Sequence, residues 1–192
     1  MHRIAYIAAE FGVSTRLPTY SGGLGVLAGD HIKAAADAGL PLVGVTLWYH
    51  QGYGMQSLDV YGEQHLDFPM CPPQHVLQDT GVMVEIELEG RPVRIKVWRN
   101  DVRGCGGTVL PLLYLDSDIE GNSEELRGAA RTLYGGDHLN RLRQEAILGI
   151  GGYHAMKALG WADDLFVHLN EGHSAFFAAS YLADLGSLEE LR

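Results

Sequence analysis

Tyr20-Ser21-Gly22-Gly23-Leu24-Gly25 stands directly ahead of an apolar-periodic run over residues 26–38. Glycines at a helix entrance let backbone N–H groups approach an anion where the helix dipole already favours negative charge. A tight turn that needs positive φ is the plainer use of the same glycines. A second polar group is Asn170-Glu171-Gly172-His173, with His168 two residues earlier. It reads as a polar substrate site, as a strand terminus with a satisfied core histidine, or as a metal pair. Strand alternation counts against the metal, because it points His168 across the sheet and away from the loop. Glu10, Tyr20, Gln51, Tyr53, Glu171 and His173 are side chains of the kind that hydrogen-bond sugar hydroxyls, and aromatic rings nearby can stack on pyranose faces. Asp30 and His31, one turn into the helix, read as a solvated face or a packed pair. Other chemistries lack their patterns: Gly-x-Ser-x-Gly, His-Glu-x-x-His, the phosphate-loop lysine motif and Gly-x-Gly-x-x-Gly do not occur.

These residues need a scaffold, and hydrophobic periodicity supplies one. Residues 3–9 are apolar almost throughout and read as a buried parallel strand, with Glu10 and Phe11 at its carboxyl end, where ligands bind in open α/β sheets. The following helix can turn Leu27, Ile32, Ala35 and Ala36 to the sheet and stops at Gly39 before Pro41. Leu42 to Tyr49 is the second strand, which completes a βαβ unit. Residues 50–115 then leave this rhythm for a β-rich excursion within one domain. Val82 to Leu88 and Val93 to Trp98 alternate around Glu89-Gly90-Arg91-Pro92, which predicts a hairpin. Residues 108–115 read as a strand that Pro111 pushes to an edge or a bulge.

Ser123 with Glu124 and Glu125 starts a helix by capping and by charge in its first turn. A long helix follows from His138 to about Leu159, with Leu139, Leu142, Ala146, Ile150 and Met156 near one face. Interior Gly149, Gly151 and Gly152 each cost up to about 1 kcal/mol there, which points to close helix packing or to an approach of backbone to something else. Leu165 to Leu169 is another buried strand, Ser174 to Leu185 a short amphipathic helix, and the last residues open a further helix start. A second strand–loop–helix unit thus mirrors the first.

With 192 residues and 46% hydrophobic content the chain can bury a sizeable core. A net charge of -10 with only 14 Lys and Arg argues against nucleic acid as a partner. Cys71 and Cys105 show neither zinc spacing nor a disulfide framework. No stretch approaches the roughly 18 apolar residues of a membrane span and no signal pattern opens the chain, so the expectation is cytoplasmic, with no membrane partner.

Ordered blocks of the chain resemble the α-glucan (glycogen, maltodextrin) phosphorylase family, especially its shorter bacterial form. They are Ala8-Ala9-Glu10-Phe11-Gly12, the stretch from Leu17 to His31, Leu47 to Tyr53, Leu133-Tyr134-Gly135-Gly136-Asp137, Arg141-Leu142-Arg143-Gln144-Glu145 and His168 to Ser174. The resemblance implies a two-domain GT-B glycosyltransferase fold of which this chain is part of the N-terminal, Rossmann-like domain. It implies transfer of a glucosyl unit from an α-1,4-glucan to inorganic phosphate, giving glucose 1-phosphate, with pyridoxal phosphate serving through its phosphate as acid and base. It also implies phosphate and glucose at Gly22, Gly23, Leu24 and Gly25, and sugar-site lining by Glu10, Tyr20, Asn170, Glu171 and His173. No metal is implied, and homo-oligomerisation stays open. The family's cofactor-bearing lysine lies in a C-terminal domain, and a histidine-bearing segment is expected soon after residue 192. The expectation is therefore a fragment with no complete set of catalytic residues and no phosphorolysis of its own. A glycogen or starch synthase shares the fold but resembles Lys-Thr-Gly-Gly-Leu where this chain has Tyr20-Ser21-Gly22-Gly23-Leu24. A non-catalytic glucan-binding module is the alternative of another class.

Overall fold

The apolar N-terminal run forms β1 (Arg3–Ile7), and the computed structural model describes residues 2–186. After an irregular connection comes α1 (Gly23–Asp37), which starts three residues earlier than periodicity suggests, so that Gly23, Leu24 and Gly25 are its first turn. Gly39 ends it at φ 70°, with its N–H donating to Ala36 O and that of Leu40 to Ala35 O. The chain continues through β2 (Leu42–Leu47), an exposed two-stranded arm of β3 (Met55–Leu58) and β4 (Gln64–Asp67), then β5 (Gln78–Leu88), β6 (Arg91–Arg103) and β7 (Val109–Asp116). Next are α2 (Glu124–Ala129), α3 (His138–Ala146), a wide-turn π segment (Ile147–Gly151), α4 (Gly152–Ala158), β8 (Leu165–Leu169) and α5 (Ala175–Leu185).

Six strands form one sheet in the order β5-β6-β7-β2-β1-β8. The run β7-β2-β1-β8 is parallel, and β5 and β6 extend it as an antiparallel hairpin. This is a mostly parallel α/β sheet compatible with a Rossmann-like fold. Strand alternation gives it two apolar faces. Tyr6, Leu112 and Tyr114 meet α1 through Ala28, Ile32, Ala35 and Ala36, while Ile7, Val45, Ile95 and Leu115 meet the later helices through Ile147, Met156 and Phe177.

From β5 onward the β-rich excursion is therefore a continuation of the central sheet. The predicted hairpin buries Val84, Ile86, Val93, Ile95 and Val97, and turns on Glu89-Gly90 alone, both at positive φ (54° and 70°), so Arg91 and Pro92 already belong to β6. Across its polar face Arg94 Nε lies 3.7 Å from Glu85 Oε2. Pro111 does not force an edge: β7 is interior, and its pairing with β2 begins only at Gly44 and Leu112, one residue past the proline. Leu165 to Leu169 is not fully buried. As β8 it is an edge strand among the described residues, and Phe166 is 63% exposed. Leu27, Leu139 and Leu142 are exposed, because Gly25, Ala28, Gly29, Ile32, Ala35 and Ala36 carry the buried stripe of α1 and the entry to α3 lies at the rim. Ser123 precedes α2 without a side-chain cap bond, leaving the first-turn acids as the local device.

The expected long helix runs as α3, π segment and α4, and its glycines allow close packing. A Cβ at Gly149 would stand 2.5 Å from Phe177 N, and one at Gly151 2.4 Å from Ile95 Cδ1. The helix start expected after Gly186 lies outside the described residues.

Candidate functional site

The carboxyl ends of β1, β2, β7 and β8 share one edge, and β1 lies where connections depart to both sides: α1 leads to β2, and β8 closes the other flank. Crevices at such switch points are where open α/β sheets bind ligands. The residues just past β1 tie that edge together. Ala9 N–H donates to His173 Nε2 at 3.0 Å, and buried Tyr49 donates its hydroxyl to Ala9 O at 3.0 Å. Glu10, only 1% exposed, accepts from Ser21 N–H through Oε2 at 2.8 Å and from the Tyr134 hydroxyl through Oε1. It thus stands beneath the helix entrance and joins two loops.

Gly22 occupies the N-cap of α1 in an extended conformation with no side-chain cap bond, so the N–H groups of the first turn have no cap acceptor. Gly22 and Gly23 are exposed, with nothing within 4 Å of where a Cβ would be. Gly25 is different: it is buried, and a Cβ there would lie 2.3 Å from Tyr20 Cβ and 2.9 Å from Glu10 Oε2. The side of the entrance open to an anion is therefore Gly22-Gly23-Leu24, while Gly25 is the packing position that allows Tyr20 and Glu10 to sit so close.

At β8's end Glu171 is exposed and holds φ 65° and ψ 173°, a region other residues leave to glycine, at a cost of about 1–3 kcal/mol. Asn170 places a buried Nδ2 that has no hydrogen-bond partner among the described residues. His173 is 6% exposed. Because its Nε2 accepts from Ala9, the ring proton belongs on Nδ1, and burial first, then the Arg141 charge, holds the imidazole below its ordinary pKa. That is a core histidine bracing the β1 terminus. His168 projects to the opposite face, its ring 4.6 Å from Tyr6 and 5.3 Å from His31, so the two histidines do not converge. His31 belongs to that packed group, next to exposed Asp30.

Tyr134 and Arg141 stand in blocks that carry the family resemblance, but sequence assigns neither of them a role at the site. Tyr134 holds φ 60°, and its hydroxyl pKa is raised by burial and by its bond to Glu10. The Arg141 guanidinium stacks 5.1 Å from its ring and pairs with Glu145 at 2.9 Å. The sequence signal for this corner was the glycine pair after Tyr134. Gln51 and Tyr53 lie on the other flank, where with Tyr20 and Arg16 they line a groove of about 450 Å3.

No family model matches the chain. It is 44% identical over 95% of its length to a glycogen phosphorylase of Mycobacterium tuberculosis, of which the matched part is 22%. It is 39% identical over 90% of its length to a maltodextrin phosphorylase of Thermococcus litoralis, covering 21% of that protein. The chain is a homologue of the glycogen and maltodextrin phosphorylases. A glycogen phosphorylase of Aquifex aeolicus, 34% identical over 96% of the chain and covered to 26%, extends the set. The chain thus spans about a fifth to a quarter of the length of these relatives. Among the described residues no helix is long and apolar enough to cross a membrane, and no group of three or more metal-ligating side chains comes together.

Proposed function

We propose that this chain is the N-terminal, Rossmann-like wall of a GT-B α-glucan phosphorylase, acting in the cytoplasm on α-1,4-glucan and inorganic phosphate. The observation that carries the reading is the meeting of the uncapped entrance of α1 and the strained Glu171 corner across the end of β1, in a chain homologous to phosphorylases along nearly its whole length. The N–H groups at Gly23 and Leu24 hold and orient a phosphate, to which a helix entrance contributes about 0.3–1 kcal/mol, more when partly buried. Such preorganised donors act on charge as it develops in the transition state. Asn170, Glu171 and Tyr20 line the glucosyl side. Glu10 and His173 act one layer down, holding Ser21, Tyr134 and Ala9 in register.

Pyridoxal phosphate, where bound, supplies a phosphate able to donate and accept a proton. The three lysines of this chain do not fit its attachment: Lys96 pairs with Asp79 at 2.7 Å, Lys157 with Asp184 at 2.6 Å, and Lys33 reaches Gly12 O on the flank of α1. The second wall therefore has to bring it. On this reading the chain alone is inactive.

The test is complementation. The purified chain should release no glucose 1-phosphate from glycogen and phosphate, and should do so once mixed with the remaining portion of a phosphorylase relative carrying its cofactor. Release by the chain alone would refute the reading, and a silent mixture that still binds glycogen would favour a non-catalytic glucan-binding module.

A further inference from the structure

A small cavity lies beneath the end of β1, enclosed by buried Ala9, Leu47, Tyr49, Gln144, Leu148 and His173, with half-buried Arg141 and Glu145 on its remaining side. Its volume of about 10 Å3 is close to what one water molecule needs and excludes an organic ligand. Four of the lining side chains have hydrogen-bonding capacity left over. His173 accepts from Ala9 N–H through Nε2 at 3.0 Å, so its ring proton sits on Nδ1, which has no partner among the described residues. Both amide hydrogens of Gln144 are committed, to Ala129 O at 2.7 Å and to Thr132 O at 3.1 Å, which leaves Oε1 as an acceptor. Glu145 uses Oε1 for Arg141 Nε at 2.9 Å, and neither its Oε2 nor the terminal nitrogens of Arg141 have a further partner among the described residues. The Tyr49 hydroxyl is committed to Ala9 O.

The surplus is therefore donors at His173 and Arg141 and acceptors at Gln144 and Glu145. A monatomic ion of either sign would meet a like charge, since Arg141 and Glu145 flank the cavity together. A neutral molecule that both donates and accepts satisfies the set, and a buried water takes roughly two to four such partners. We propose that this cavity binds one water molecule, which accepts from His173 Nδ1–H and donates to the Glu145 carboxylate, with Gln144 Oε1 and Arg141 completing its shell. The water closes a ring of polar contacts under the site. The ring runs from Ala9 to His173, through the water to Glu145 and Arg141, from the Arg141 guanidinium to the Tyr134 ring 5.1 Å away, and from the Tyr134 hydroxyl to Glu10, the neighbour of Ala9. Glu145 is then a positioning residue that ties His173 to Tyr134. The water site stands on this geometry and does not depend on the phosphorylase reading.

Water contacts of the His173 imidazole in the isotope-labelled chain test it. In rotating-frame spectra, where a dipolar contact and proton exchange have opposite signs, the Nδ1 proton should show a dipolar cross-peak to water. Glu145→Gln keeps an acceptor and should keep the peak. Glu145→Leu should lose it, and exchange of the Ala9 N–H should quicken about tenfold, as release of one hydrogen bond would. The Glu145 side chain is 25% exposed, and an amide spectrum unchanged away from the cavity verifies the fold of each variant. If Glu145→Leu does not fold, the parent decides through its own cross-peak and through crystal density, which should place a water within about 3.2 Å of both His173 Nδ1 and a Glu145 oxygen. A ring proton on Nε2, no dipolar peak in the parent, a peak that persists in Glu145→Leu, or an ion in the density would each overturn the assignment.

Discussion

Replacing Gly29 by alanine tests the contact that places the helix entrance. A Cβ there would lie 2.3 Å from the carbonyl oxygen of Gly12 and 2.6 Å from its carbon, a collision with backbone that no rotamer relieves. The Gly12 segment would have to lift from α1, and it is held there by Gly12 N–H donating to Gly25 O at 2.7 Å. Overpacking costs about 1–3 kcal/mol and a weakened hydrogen bond about 0.5–1.5 kcal/mol, against which alanine returns about 1 kcal/mol of helix propensity. The net is about 2 kcal/mol of destabilisation. With a urea dependence of about 2 kcal/mol per molar, the unfolding midpoint should fall by about 1 M. Gly128→Ala in α2 is the internal control, because no atom lies within 4 Å of its Cβ position. It should raise stability by about 0.5–1 kcal/mol. A midpoint for Gly29→Ala equal to or above that of the parent, with the control behaving as stated, would show that the close approach of α1 to the β1 loop is wrong.

The His173 imidazole gives stability a pH dependence. Its folded pKa is held below the ordinary value of about 6.5 by burial and Arg141, so the unfolded chain takes up the proton more readily. Its contribution is complete above about pH 6.5 and is lost as the pH falls below that. His173→Gln keeps an acceptor for Ala9 N–H without titrating, and urea midpoints between pH 7 and 5 should fall less steeply in the variant; equal slopes would refute the assignment. Tyr134→Phe removes the donor to a buried carboxylate oxygen of Glu10 and should cost about 1.5–3 kcal/mol, part of it recovered in the double variant with Glu10→Gln. Additive losses in the cycle would mean that the two side chains do not meet.

The elements with one unambiguous period were legible in the sequence. β1 and β2 read as apolar runs, Gly39 as a stop, and the β5–β6 hairpin as strict alternation, because each depends on neighbours a few residues away. What failed depended on distant partners. Pro111 reads as an edge marker until the start of the β2–β7 pairing is known, and Leu139 and Leu142 read as core until the entry to α3 is seen to lie at the rim. The polar residues were legible by type and less so by depth. Glu10 and His173 have the chemistry of ligand-binding groups, yet both are buried and committed to the backbone of other loops. Tyr134 stands in a resemblance block, but its bond to Glu10 was not legible because the partner lies 124 positions away.

The central place of β1 also sets the order in which the sheet can be completed. One flank of the strand pairs with β2, Ile4 opposite Leu42, which follows it within a few dozen residues. The other flank pairs with β8, Ile4 opposite Phe166, which a ribosome delivers only after the hairpin and the helices from α2 to α4. Closing so long a loop is slow relative to local pairing. During synthesis the first strand therefore waits with one side open, and β8 is a late closing strand, so a stalled or shortened product that ends before Leu165 would expose the flank of β1 to pairing with other chains.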